Sequence, residues 1–304
     1  MDQYPIPFCS ITIRLTNITI NINKLSMLEV VTQFFQYTFI QNALLAAVLL
    51  SVITGFIGSY IVVRRLVFLS GGITHASFGG IGIAWYLGLN PILGASFFSV
   101  LSALGLEYLS QGRTLREDSA IGMLWSFGMA VGILFVFLTP GYAPNLMSFL
   151  FGSILTISKT DILLLLILAG LTLMFFVAFY YHILFVAFDS DFAKTQNVPV
   201  KFIGYSLAIL IALSIVFAIR AVGIILIISL LTIPANIANI VSHRFKTIIL
   251  LSTLISLISI VVGIAISFRL NVPSGATIIT TMMAFYLIAK SIQIIRQWIF
   301  MMKV

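Results

Sequence analysis

Charge is what this sequence has least of: Asp, Glu, Lys and Arg make up 8% of its 304 residues, where soluble domains carry about 25%. So few ions cannot build a hydrated surface, which excludes a water-soluble fold. Cysteine is scarcer still. Cys9 stands alone, which excludes an internal disulfide, a CxxC redox pair and a thiolate metal cage. With 3 histidines and 8 acidic residues little is left for hydrolytic chemistry, and no HExxH, GxSxG or GxxxxGK[ST] string occurs. The nearest phosphate-loop string, from Gly152 to Ser158-Lys159-Thr160, lacks glycine before the lysine. The chain is therefore expected to be no enzyme and to hydrolyse no ATP by itself.

What it has is apolar length. At 61% hydrophobic, and at about 20 residues per span, the chain has material for at most about nine membrane-spanning helices. Apolar runs lie near 38–62, 66–88, 91–110, 119–139, 161–181, 202–219, 222–241, 246–268 and 275–295. The break at 219–223 has almost no loop, so eight or nine spans remain open. The expected fold is an all-α polytopic membrane protein.

The net charge of +8 reflects orientation rather than nucleic-acid binding. Arg64, Arg65, Arg113, Arg116, Lys194, Lys201, Arg244, Lys246, Lys290, Arg296 and Lys303 fall on alternate sides of consecutive spans, 11 of 16 cations. Cations concentrate on the cytoplasmic side of a membrane protein, so the N-terminus is expected outside and the C-terminus in the cytoplasm. Residues 1–26 resemble neither a signal peptide nor a span. They are expected to be an extension, with translation starting at Met27, and 27–304 to form one transmembrane domain.

Two connecting segments stand out. Thr139-Pro140-Gly141-Tyr142-Ala143-Pro144-Asn145 should leave the fourth span in turns, and Met147–Ile157 should form a re-entrant or surface helix. On the cytoplasmic side the spacing predicts a short helix over 189–197. Asp189 or Ser190 would cap it, Asp191 would favour its dipole, Asn197 would tolerate a left-handed stop, and Pro199 would prevent continuation. Phe192 and Ala193 would then be available to a partner's groove. Asp118 is expected to cap the fourth span.

Ionisable groups inside a bilayer are functional candidates because burying them is expensive. Of the histidines, His182 and His243 lie at helix ends, and only His75 falls within a span. Its neighbours Gly71, Gly72, Gly79 and Gly80 permit close packing, while Ser70, Thr74 and Ser77 bring hydroxyls. A neutral imidazole here can bond a neighbouring helix or transiently ligate a transition metal.

Ordered blocks along the chain are similar to one family. They are Asn42–Ala47, Gly58–Arg65, Thr74-His75-Ala76, Leu115–Gly122, Phe151–Leu155, Phe188–Ala193, Val222–Leu226 with Ile233-Pro234-Ala235, and Val272–Ile278. Together they resemble the permease subunits of zinc, manganese and iron type metal ABC importers, the metal ABC transporter permease family, from about Met27 to Lys290. The resemblance implies an ABC importer permease acting as a homodimer in the plasma membrane, the bacterial inner membrane. It implies two copies of a cytoplasmic ATP-binding subunit, an extracytoplasmic metal-binding protein, no permanently bound cofactor, and a divalent metal ion as cargo, zinc first and then manganese or iron. It implies a metal pathway through His75, Thr74 and Ser77. It also implies that Asp189, Ser190, Asp191, Phe192, Ala193 and Lys194 belong to a coupling helix docking on the ATPase.

Three positions depart from the family pattern, the first being Asn197, which stands where glycine is usual. Gly71 stands where an aspartate usually sits four residues before the histidine, and Gly79 replaces a proline. The alternatives are a permease for a metal chelate of the siderophore or cobalamin type, and a secondary carrier without an ATPase.

Overall fold

The computed structural model describes residues 37–111, 117–140, 152 and 154–301. The extension at 1–26 and most of the expected helix at Met147–Ile157 lie outside the described residues; only a short 3-10 turn at Ile154–Thr156 is seen there. The chain divides into two compact units, Met1–Gln41 and Asn42–Val304. In the first, the Ile40 and Gln41 amides donate to the Tyr37 carbonyl at 3.0 and 3.1 Å.

The described residues form eleven α-helices. They are α1 (Thr38–Val63), α2 (Val67–Tyr86), α3 (Pro91–Gln111), α4 (Glu117–Leu138), α5 (Lys159–Ala178), α6 (Tyr180–Phe188), α7 (Ser190–Thr195), α8 (Val200–Val222), α9 (Ile224–Val241), α10 (Phe245–Leu270) and α11 (Ser274–Met301). All but α6 and α7 are long and apolar enough to cross a membrane, giving nine candidate spans among the described residues. These match the apolar runs because an uninterrupted run of about 20 apolar residues can satisfy its backbone in lipid only as a helix.

The break near residue 220 resolves the choice between eight and nine. Gly223, at φ 84 and ψ 165, separates α8 from α9 as a single non-helical residue. Its amide closes α8 by donating to the Ile219 carbonyl at 2.8 Å, and its carbonyl accepts from Ile227 at 3.2 Å to open α9. A positive φ with extended ψ is open essentially to glycine alone. Gly152, itself at φ 49, packs on this point, where a Cβ would run into the Val222–Gly223 backbone.

Small residues set the closest helix contacts, as expected where no hydrophobic force separates helix from lipid. A Cβ on Gly128 would lie 2.5 Å from Ala76 Cα, and one on Gly72 would lie 2.6 Å from Ile121 Cγ2. Gly132 presses on Phe78 and Gly82 on Gly132. The Gly128-xxx-Gly132 spacing thus serves a contact within this chain, between α4 and α2. On the other side of the unit, Gly58 sits against the Leu231 carbonyl and Gly55 against Thr253. Thr54 Oγ1 donates to Leu50 O at 2.8 Å and lies 3.1 Å from Ser256 Oγ, joining α1 to α10.

Candidate functional site

His75 sits in the middle of α2, on the side facing α4. Its imidazole stacks on the Trp125 indole with ring centroids 4.1 Å apart and planes 8° from parallel. Nδ1 is sealed from solvent and has no hydrogen-bond partner among the described residues. A buried polar atom left unpaired costs about 1–3 kcal/mol, and Nδ1 shares this state with the Ser99, Thr172, Ser214, Ser252 and Ser259 hydroxyls. Gly71, one turn earlier on the same face, is also covered by Trp125: a Cβ there would stand 3.5 Å from Cζ3. Despite Gly79, α2 runs unbroken through this region.

Thr74 and Ser77 are fully buried. Their hydroxyls donate within the helix, Thr74 Oγ1 to the Ser70 carbonyl at 2.5 Å and Ser77 Oγ to the Thr74 carbonyl at 2.6 Å. Each oxygen keeps a lone pair as acceptor. Ser77 lines a cavity of about 590 Å³ between α2, α3 and α8, together with Ile81, Asn90, Ala95, Val216 and Arg220. Thr74 does not reach it, so the three residues named from the sequence do not converge on one space. Among the described residues no group of three His, Cys, Asp or Glu side chains could hold a metal ion.

Sequence reasoning overlooked a charged pair beside that cavity. Asp161 opens α5 in a capping box with Ser158, whose Oγ accepts from the Asp161 amide at 3.2 Å and donates to Oδ2 at 2.6 Å. Its other oxygen lies 2.6 Å from Arg220 Nε near the end of α8. The Ser-x-x-Asp spacing of a capping box was the available signal for Asp161; its pairing with Arg220 had none.

At the end of the molecule that carries most cations, α7 is shorter than the 189–197 expected, ending at Thr195. Asp189 is the cap, its Oδ1 accepting from the Asp191 and Phe192 amides at 3.0 and 2.9 Å. Asn197 takes the left-handed conformation at φ 55, and Lys194 pairs with Asp191 at 2.8 Å. Phe192 is 49% exposed, but Ala193 is fully buried. The expectation that both face outward is therefore corrected: one turn of helix presents a single outward edge, and Ala193 is on the other side. Asp118 lies in the first turn of α4, which begins at Glu117.

Two further residues tie this end together. Arg64, at the end of α1, donates from Nη1 to the Val186 carbonyl in the last turn of α6 at 2.9 Å. Arg65 then turns the chain into α2 with φ 61. Gly204 on α8 gives up its side-chain volume to the Glu107 carboxylate of α3.

A bundle of spanning helices with a half-buried histidine, an open cavity between helices and a capped helix at its cation-rich end suits a transport subunit. Residues 36–293 match the model of the ABC 3 transport family, and the chain belongs to that family. It is 39% identical over 266 residues to an uncharacterized membrane protein, slr2045, of Synechocystis sp., covering 88% of this chain and 95% of that one. It is 33% identical to the manganese transport system membrane protein MntC of Halalkalibacterium halodurans, over 88% and 93% of the two chains. The structure of PsaBC from Streptococcus pneumoniae in complex with Fab superposes with a TM-score of 0.76 at 30% identity, over 87% of this chain and 95% of that one. This chain is a multi-pass membrane protein and a permease of a metal ABC importer.

Proposed function

We propose that the cargo is a divalent transition metal ion moved into the cytoplasm, manganese first, with iron and zinc behind it. The name of the MntC relative moves manganese ahead of the zinc that the sequence motifs favoured. The observation that carries a pathway through α2 is His75, whose imidazole has a buried, unpaired nitrogen. It ligates the ion in passage, as imidazole does for zinc, iron and other first-row metals. Ser77 contributes an acceptor oxygen on the cavity wall, and Thr74 stiffens α2 beneath it. No metal stays bound between cycles.

The permease works as a homodimer in a bacterial plasma membrane, with two copies of an ATP-binding subunit and an extracytoplasmic protein that delivers the ion. Its cation-rich end is cytoplasmic, its N-terminus outside and its C-terminus inside. Residues 189–194 form the coupling helix, with Phe192 as the edge offered to the ATPase. Arg64 passes movement of α6 and α7 to the turn that starts α2, so that ATP binding favours one packing of the bundle over another.

Elemental analysis of metal-limited cells tests this. A strain lacking the gene, complemented with the wild-type chain, is expected to regain manganese, and the same strain carrying His75→Ala is not. Equal recovery with both chains removes His75 from the pathway, and recovery of a different metal replaces manganese. Recovery of no metal overturns the transport reading.

A further inference from the structure

His75 is not a free imidazole waiting for an ion. One of its faces is covered by the Trp125 indole, nearly parallel at 4.1 Å. The indole edge also reaches Gly71, where an added Cβ would make an ordinary contact, 3.5 Å from Cζ3. Its place is fixed on either side, by the Ile121 side chain against Gly72 one turn before it and by Gly128 against the Ala76 backbone one turn after it. Neither contact leaves room for α4 to slip along α2, so the ring cannot leave His75 without a change of rotamer. The remaining surface of Trp125 is open, at 37% exposure.

An imidazole donates to a metal through a lone pair in the plane of its ring. A flat partner on its face therefore leaves that donation free while blocking rotation of the ring. We propose that Trp125 is the positioning residue of His75: stacked on one face, it fixes the imidazole plane for in-plane ligation. The inference rests on the metal-pathway reading of His75. Partners that orient a ligating imidazole are typically worth 10- to 100-fold in affinity or activity.

The test is uptake of manganese and of zinc, each alone and in competition, by cells carrying the assembled importer, with membrane levels of the chain measured for every variant. Trp125→Phe, which keeps a flat ring, is expected to stay within about twofold of wild type, and Trp125→Ala to lose about tenfold. Because the indole is partly exposed, its removal opens no sealed core cavity, so the loss should appear at normal membrane levels. A purely structural role for Trp125 would lower uptake together with membrane levels. Loss of an oriented imidazole should instead lower uptake at unchanged levels and raise the metal concentration for half-maximal rate, both restored by Trp125→Phe.

The proposal is overturned if Trp125→Ala changes neither the rate nor the half-maximal concentration while His75→Ala abolishes uptake, a result that leaves the pathway through His75 standing. If His75→Ala is itself without effect, the pathway reading falls and the role of Trp125 falls with it.

Discussion

Asp161 and Arg220 set two opposing forces on one atom pair. The carboxylate is nearly sealed, with side-chain exposure of 8%, while the guanidinium is 41% exposed. Burying a carboxylate without a partner is costly, so removing Arg220 destabilises more than removing both charges together. With half of the pair open to solvent and therefore screened, Arg220→Ala should lose about 1–2 kcal/mol. The double variant Arg220→Ala with Asp161→Asn should recover part of it, measured as thermal unfolding of the detergent-solubilised chain. Equal melting of the single and double variants would show that the carboxylate left without Arg220 carries no burial penalty. The local half of this arrangement was legible in Ser158-x-x-Asp161. The pairing was not, because it joins residues 59 positions apart through a helix packing that no periodicity encodes. The same limit hid the Trp125 stack on His75.

At the scale of elements, spacing along one helix was readable and orientation between helices was not. The capped helix after Phe188 was recognisable from Asp189, Asn197 and Pro199, yet a helix of 6 residues is too short for its pattern to say that Ala193 turns inward. Loss of the cap, Asp189→Ala, should cost about 1 kcal/mol of local stability and show as faster amide exchange at Asp191 and Phe192, whose amides bond it. Replacing Asp191 and Phe192 together should leave the chain folded and ATPase activity present while metal uptake is lost; unchanged uptake would remove residues 189–194 from coupling. Glycines offer a sharper comparison. Gly122 has open space around it and Gly128 has Ala76 Cα at 2.5 Å. Gly122→Ala should leave membrane yield unchanged or raised, and Gly128→Ala should lower it severalfold.

For the molecule as a whole, the nine spans were readable because crossing a bilayer imposes length and apolarity on every helix, whatever its neighbours. The doubt at residue 220 had a physical cause: a one-residue break at Gly223 leaves no polar loop to mark it. Orientation follows from charge asymmetry and is open to direct measurement. With Cys9 changed to Ser the chain is cysteine-free, and single cysteines at Asn90 and His243 should label from opposite sides of intact cells. Asn90 should react with an impermeant reagent and His243 only after permeabilisation; the reverse pattern would invert the topology.

The glycine contacts between α2 and α4 carry a mechanical consequence. Two helices whose backbones touch at several successive turns have no side-chain layer to shear, so they travel as one rigid plate. The histidine and the indole ride on that plate together, keeping their mutual geometry through the transport cycle. The left-handed backbone points lie outside the plate, at Arg65 where the chain turns into α2 and at Gly223 between α8 and α9.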